Sequence, residues 1–219
     1  AAFVEEHAGL KAALRSGGTL ETIKRLVAAG FPVIIEKGTY IEEVSTGRVS
    51  WMGHYNVITG YDDATKEFIV QDSYYQADYR IAYDLIEQQW RSFNFMFLVI
   101  YPADKQDAVL TALGPYQDEM VSYQIAADTA MKEIASLSGV DRFFAWFNRG
   151  TSLVNVQDYA GAALAYDEAF KLYPDLPKDM RPWRMTWYQT GPYFAYFYSG
   201  RYQDVIDLAT TTLDAASEP

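Results

Sequence analysis

Two residues of the 219-residue chain have types and a spacing that suggest acid–base chemistry. His54 lies in the segment GHYNVITGYDD, and Asp72 ends the nearby segment FIVQD. The turn-forming letters DDATKE separate them, which predicts an antiparallel hairpin that brings Asp72 alongside the start of the His54 strand. A carboxylate that binds one imidazole nitrogen fixes the tautomer of the ring. The other nitrogen is then free to accept a proton from a nucleophile.

The nucleophile that such a base would activate is missing from the sequence. The chain contains no cysteine, so disulfides, thiolate zinc sites and a thiol nucleophile are excluded within these residues. The sequence indicates no Ser or Thr that is placed to substitute for one. Covalent catalysis needs an activated nucleophile, and we therefore expect no covalent catalysis by this chain alone.

Structural interpretations of the same residues stay open at this stage. His54 can be a half-buried strand residue that hydrogen-bonds to a backbone carbonyl. Asp72 can be a turn-starting residue that accepts the backbone N–H of Tyr74 or Tyr75. His7, which follows two glutamates, is interpreted as a surface residue.

Asp62 and Asp63 are interpreted as a hairpin turn, because their spacing lacks the alternating oxygen ligands of a calcium loop. The sequence therefore predicts no metal site and no cofactor.

The composition indicates a folded, acidic protein. Half of the residues are hydrophobic and 16% are aromatic, which supports a substantial core. Because 29 acidic residues outweigh 18 basic ones, nucleic acid and anionic membranes are not expected as main partners. The longest apolar run, near 93–101, is too short to cross a bilayer. The chain starts without Met or a signal-peptide pattern, and we expect it to be a piece of a longer protein.

The first hundred residues mix helix and strand. A helix is predicted after the N-cap Thr19, with Gly30 as its stop. A polar loop is expected between the first two strands. The predicted strands are Val33–Glu36, His54–Tyr61, FIVQD and FNFMFLVIYP, with a short helix at YDLIEQQW before the last of them. This order predicts an α+β fold with a mainly antiparallel sheet.

Helical periodicity replaces the strand pattern after Pro102. One or two helices are predicted there, with a break at Gly114–Pro115. The block FFAWFNRGTSLVNVQDYAGAALAYDEAFKLYPD resembles a tetratricopeptide repeat (TPR). It places large, small and proline residues at the positions that this repeat requires: Trp146, Gly150, Tyr159, Ala162, Tyr166, Ala169 and Pro174. A second, more degenerate copy follows, so the repeats are predicted at about 143–176 and 183–217.

The segments GFPVIIEKG and GHYNVITGYDDATKEFIVQDSYY resemble the C-terminal part of a bacteriocin-processing-type cysteine peptidase domain, which has a papain-like fold. The resemblance covers roughly 5–101. It implies that His54 is the family histidine and that Asp72 is its orienting acid. Ser73 stands where the family usually has proline. The family's glutamine and nucleophilic cysteine lie upstream on a first helix, which this chain lacks. Members are often exported.

We therefore expect a peptidase-like lobe over 1–102 and an all-α, TPR-like region over 103–219. Three hypotheses follow for the function. The chain can be a non-catalytic scaffold whose TPR-like helices bind protein partners. It can be the C-terminal fragment of a real cysteine peptidase whose cysteine-bearing segment lies elsewhere. It can also bind a peptide or small ligand in the old substrate cleft without cleaving it.

Overall fold

The structure is a computed structural model that describes residues 2–42, 47 and 49–217. The chain divides into two compact units. The first consists of 1–37 and 54–126, and the second of 38–53 and 127–219. The α+β class predicted from the sequence is confirmed, because a six-stranded sheet precedes a helical region.

The sheet has short strands at its edges and longer strands at its centre. The strands are β1 (Lys11–Arg15), β2 (Val33–Glu42), β3 (Val49–Asp62), β4 (Glu67–Gln71), β5 (Tyr79–Ala82) and β6 (Phe97–Tyr101). Their order in the sheet is β1-β6-β2-β3-β4-β5. The pairs β1–β6, β2–β6, β3–β4 and β4–β5 are antiparallel, as the sequence predicted for most of the sheet.

Ten helices occur in the described part of the chain. They are α1 (Ala2–Ala8), α2 (Leu20–Ala28), α3 (Tyr83–Arg91), α4 (Gln106–Leu113), α5 (Glu119–Ser136), α6 (Gly139–Asn155), α7 (Tyr159–Leu172), α8 (Met185–Tyr188), α9 (Gly191–Tyr198) and α10 (Tyr202–Ser217). A short 3-10 turn at 114–116 separates α4 from the helices that follow, at the break predicted from the Gly-Pro pair. Among these helices, none combines the length and the apolar character that a membrane span requires.

The core of the first unit lies between α2 and one face of the sheet. Thr19 caps α2 by accepting the backbone N–H of Thr22, and Gly30 follows the helix at φ +88°, as the sequence indicated. Ile23 and Leu26 point from α2 into the core and are fully buried. The sheet contributes alternate residues of its central strands to the same core, including Val33, Ile35, Ile58, Phe68, Val70, Phe97 and Val99.

The prediction of a polar loop that reaches His54 is wrong about the length of the loop. The strand before it continues to Glu42 and the next begins at Val49, so His54 lies inside a strand rather than at its start. The reason is tertiary, because Trp51 is only 1% exposed and packs in the second unit against Phe144 and Tyr188. Residues 43–46 and 48 of the predicted loop lie outside the described residues.

The strands β1 and β5 were not predicted from the sequence. Both are edge strands of four or five residues and both carry a charged residue. Short, polar edge strands of this kind protect a sheet from pairing with further strands. Their polar and apolar residues alternate over too few positions for the strands to be recognised from the sequence alone.

The second unit packs its helices around a buried tyrosine. Tyr166 of α7 is fully buried, and its hydroxyl lies 3.1 Å from the Thr151 hydroxyl of α6. A Cβ atom at Gly150 would lie 2.7 Å from the Tyr166 ring, and one at Gly191 would overlap the Tyr166 hydroxyl oxygen. The small residue that the repeat pattern requires at position 150 therefore lets the two helices pack closely. Pro174, the proline of the repeat pattern, lies in the turn that follows α7.

The close packing at Gly150 predicts an unusual response to alanine. In an unconstrained helix, replacing glycine with alanine stabilises by about 1 kcal/mol. Here, we expect Gly150→Ala to lower the free energy of unfolding by about 1–3 kcal/mol, because the methyl group overlaps the Tyr166 ring. Urea denaturation measures the change. The same substitution in a Tyr166→Leu background should destabilise less, and an equal loss in both backgrounds would contradict the packing argument.

Candidate active site

A β-bulge in the β3–β4 hairpin decides which residues face each other. Near the turn, Tyr61 pairs with Phe68, but beyond the bulge Ile58 pairs with Val70. Thr59 is the extra residue between the two registers. Since side chains alternate across a strand, an unbroken pairing would put Tyr61 and Ile58 on opposite faces. The bulge lets both contribute to the core, where Ile58 is fully buried and Tyr61 packs at the margin.

The same bulge places His54 on the face of Asp72. Continuing the pairing of Ile58 with Val70 sets Asn56 opposite Asp72, and His54 lies two residues further along the same face. The His54 Nε2 atom is 3.0 Å from Asp72 Oδ1, and Asn56 Nδ2 donates to Asp72 Oδ2 over 2.6 Å. The hairpin therefore brings together the two residues that the sequence singled out.

Asp72 also organises the turn that follows β4. Its Oδ1 atom accepts the backbone N–H groups of Tyr74 and Tyr75 at 2.8 and 3.0 Å. The turn interpretation and the His54 interpretation of Asp72 therefore hold together, because a carboxylate has enough lone pairs for both sets of donors.

The hydrogen bonds to Asp72 hold it in the charged form. Burial acts to raise its pKa, since the side chain is fully shielded from solvent. The hydrogen bonds from Asn56, from the Tyr75 and Tyr74 backbone and from His54 outweigh burial and lower the pKa to about 2. At neutral pH, His54 therefore faces a permanently ionised carboxylate.

The geometry orients the His54 ring for proton transfer. Contact with Asp72 occupies Nε2, which leaves Nδ1 as the nitrogen available to a reacting group. The His54 side chain keeps 15% of its surface exposed, whereas Asp72 has none. This arrangement can hold an imidazole as a general base, but the chain provides no thiol for it to activate.

Two further polar residues lie on this face of the sheet and were missed by the sequence reasoning. Asn56 is fully buried, and its Oδ1 atom has no hydrogen-bond partner among the described residues. Lys37 follows Ile35 at strand spacing on β2 and is 3% exposed. Burial lowers the pKa of the Lys37 ammonium, and the charge of Asp72 acts against that shift. The even spacing of Asn56 from His54 was the available signal.

The remaining candidates have the roles that their sequence context indicated. Asp62 Oδ1 accepts the backbone N–H groups of Ala64 and Thr65, which makes it a turn residue of the hairpin. His7 lies on α1 with 60% of its side chain exposed. Within the described residues, no three His, Asp or Glu side chains are grouped so as to hold a metal ion.

The low pKa of Asp72 predicts how a matched pair of variants depends on pH. The ionised carboxylate stabilises the fold above the ordinary pKa of 3.8, and this contribution is lost as pH falls toward 2. We expect Asp72→Asn to lower the free energy of unfolding at pH 7 by about 2 kcal/mol. Urea denaturation at a series of pH values measures the difference.

The difference between wild type and Asp72→Asn should stay constant down to about pH 4 and shrink below it. Asp84, an exposed acid on α3, provides the control, and Asp84→Asn should change stability little at any pH. A difference for Asp72→Asn that grows on acidification would contradict the assignment.

Comparison with known proteins agrees with the two kinds of architecture. The model of the Peptidase_C39 like family matches residues 5–96, and a tetratricopeptide repeat model matches residues 143–176. Among curated proteins, a search found no match. A solved structure of a proposed C39-like peptidase from Bacillus anthracis has 20% sequence identity and a TM-score of 0.35. The match covers 45% of this chain and 55% of that one. Residues 5–96 thus form a peptidase C39-like domain that a tetratricopeptide repeat follows, in a chain without cysteine.

Proposed function

We propose that this chain is a non-catalytic, peptidase-like scaffold that binds protein partners through its TPR-like helices. The observation that carries the proposal is the oriented base without a nucleophile. His54 and Asp72 keep the geometry of a general base and its orienting acid, at positions that the family resemblance assigns to catalysis. With no cysteine among 219 residues, the thioester chemistry of such a peptidase cannot occur on this chain.

The helical region supports the interaction part of the proposal. The repeat at 143–176 belongs to a class of module that stacks helix pairs and presents extended binding surfaces. We propose a second, degenerate repeat at 183–217, which includes α9 and α10. The assignment of 1–102 as the peptidase-like lobe and of 103–219 as the helical region remains a proposal. The two compact units divide the chain at other residues.

A second candidate is the C-terminal fragment of an active papain-like cysteine peptidase. It is favoured by the four hydrogen bonds that keep the Asp72 carboxylate ionised, one of which comes from His54. Such an arrangement has an evident use if a cysteine-bearing segment supplies the thiolate. The nucleotide sequence upstream of the Ala1 codon tests this candidate. A glutamine and a cysteine encoded there, in a segment with a helical pattern, would favour it.

The scaffold proposal predicts an absence of hydrolysis that can be measured against an internal control. The purified chain and its His54→Ala variant should release fluorophore from a panel of fluorogenic peptides at the same background rate. A rate that falls when His54 is replaced would contradict the proposal. Affinity purification from the source organism should also recover a partner in stoichiometric amount, and elution of the chain alone as a monomer would count against a scaffold.

A third candidate is a ligand site in the old substrate cleft. It is favoured by the unpaired Asn56 Oδ1 and the buried Lys37, which leave an acceptor and a cation on the His54 face. If a peptide binds there, titration of a peptide library should move the His54 ring resonances in NMR spectra. The Asp62→Asn variant, altered at the far end of the hairpin, should respond in the same way as wild type. Unchanged His54 resonances across the library would eliminate this candidate.

A further inference from the structure

A continuous group of aromatic rings lies exposed on the second unit. Four of its members are among the most exposed large side chains of the chain: Phe194 is 50% exposed, Phe197 51%, Tyr198 58% and Tyr202 59%. Aromatic side chains carry the largest apolar area of any residue type, and large exposed apolar patches mark interaction sites in soluble proteins. We call this group, together with the half-buried Tyr159, the aromatic surface.

Ring contacts join the aromatic surface into one patch across three helices. Tyr198 at the end of α9 is central, with ring centroids 4.6 Å from Tyr159 of α7, 5.3 Å from Phe197 and 6.4 Å from Phe194. Phe197 continues the patch to Tyr202 of α10 at 5.4 Å. The rings contact one another, and these contacts restrict the rotamers that each ring can adopt before a partner binds. Ordering them on binding therefore carries a small entropic penalty.

The two helices that carry the exposed rings, α9 and α10, have only acidic charges. The helix α9 carries no charged residue, and α10 carries three aspartates and no Lys or Arg. Arg201, the cation between these helices, is bound by two hydrogen bonds to Asp167 and by one to Asp204. Asp207 accepts from Gln203, and no ion pair links Asp207 to a cation in the described part of the chain. Arg201 is thus neutralised, and α10 retains the negative charge of Asp207.

We infer that the aromatic surface binds a basic, apolar segment of a partner protein, one in which Arg or Lys alternates with apolar residues. The guanidinium or ammonium groups stack on the ring faces and approach the aspartates of α10. The apolar residues cover the ring edges. This inference rests on the proposed scaffold function and identifies the surface and the partner chemistry that the scaffold uses.

Electrostatics selects a basic partner over a neutral one. A neutral apolar partner that docked on α9 and α10 would offer no counter-charge to the carboxylates of α10. A cation on an aromatic face gains from the ring quadrupole, and the gain grows as water is excluded. The net charge of −11 also attracts cationic segments at long range and so raises the association rate.

The test uses the full chain and three synthetic peptides of equal length, in which leucine alternates with Arg, Glu or Ser. Fluorescence anisotropy should show binding of the Arg peptide and at least about tenfold weaker binding of the other two. Replacing Phe197 and Tyr202 together with Ala should weaken the Arg peptide by about tenfold or more. The control Leu164→Ala, which removes a 66% exposed leucine outside the patch, should leave the dissociation constant unchanged.

A second pair of variants separates a specific surface from diffuse charge attraction. Asp207→Asn and Asp175→Asn each remove one exposed negative charge of the second unit. Asp207 shares α10 with Tyr202, whereas Asp175 lies in the turn after α7, at the opposite end of that helix from Tyr159. We expect Asp207→Asn alone to weaken the Arg peptide. The inference would be overturned if both aspartate variants weakened binding of the Arg peptide equally. It would also be overturned if the Ser peptide bound as tightly as the Arg peptide, or if the Phe197/Tyr202 variant kept the wild-type dissociation constant. Circular dichroism of every variant confirms that the helices are intact.

The same samples distinguish this inference from the proposed function. Mass spectrometry of the incubated peptides shows whether the chain cleaves them. Cleavage that His54→Ala abolishes would sink the scaffold proposal even if binding still required the aromatic surface. Intact peptides whose binding ignores the aromatic surface would sink the inference and leave the scaffold proposal standing.

Discussion

The single extra residue in the β3–β4 hairpin is the constraint on which the site depends. Ile58 and Tyr61 are three positions apart, and strand alternation would send them to opposite faces of the sheet. Packing both against Phe68 and Val70 requires a bulge at Thr59. The register beyond the bulge then sets His54 and Asn56 on the face of Asp72. A requirement of the hydrophobic core thus assembles the polar site.

The site that results is a strongly held carboxylate with an imidazole at its edge. Burial alone would favour the neutral acid, but four donors from the strand and the turn reverse that preference and keep Asp72 ionised. The cost of burying Asp72 is therefore met by hydrogen bonds that the fold already supplies. The His54 ring is positioned as a consequence. The chain supplies no thiol for the positioned ring to activate.

The second unit uses its aromatic residues in two opposite ways. Tyr166 is enclosed between Gly150 and Gly191, where the absence of side chains lets neighbouring helices approach the ring. The rings of α9 and α10 instead face solvent. The first arrangement stabilises the stack of helices, and the second leaves apolar area exposed on the described part of the chain. Both arrangements use aromatic residues, and the repeat pattern does not indicate which of these residues are buried and which are exposed.

The sequence by itself determined the chemistry that is available and most of the regular elements. The sequence shows directly that the chain has no cysteine. It also predicts the His54 strand, the turn after Tyr61, the caps of α2 and the repeat around Gly150, because caps, turns and periodicity depend on residues that are close in sequence. Only the tertiary structure decided the Thr59 bulge, the burial of Lys37 and Asn56, and the extension of β3 back to Val49. Those features depend on which side chains pack together from parts of the chain that are distant in sequence. Local sequence patterns do not contain that information.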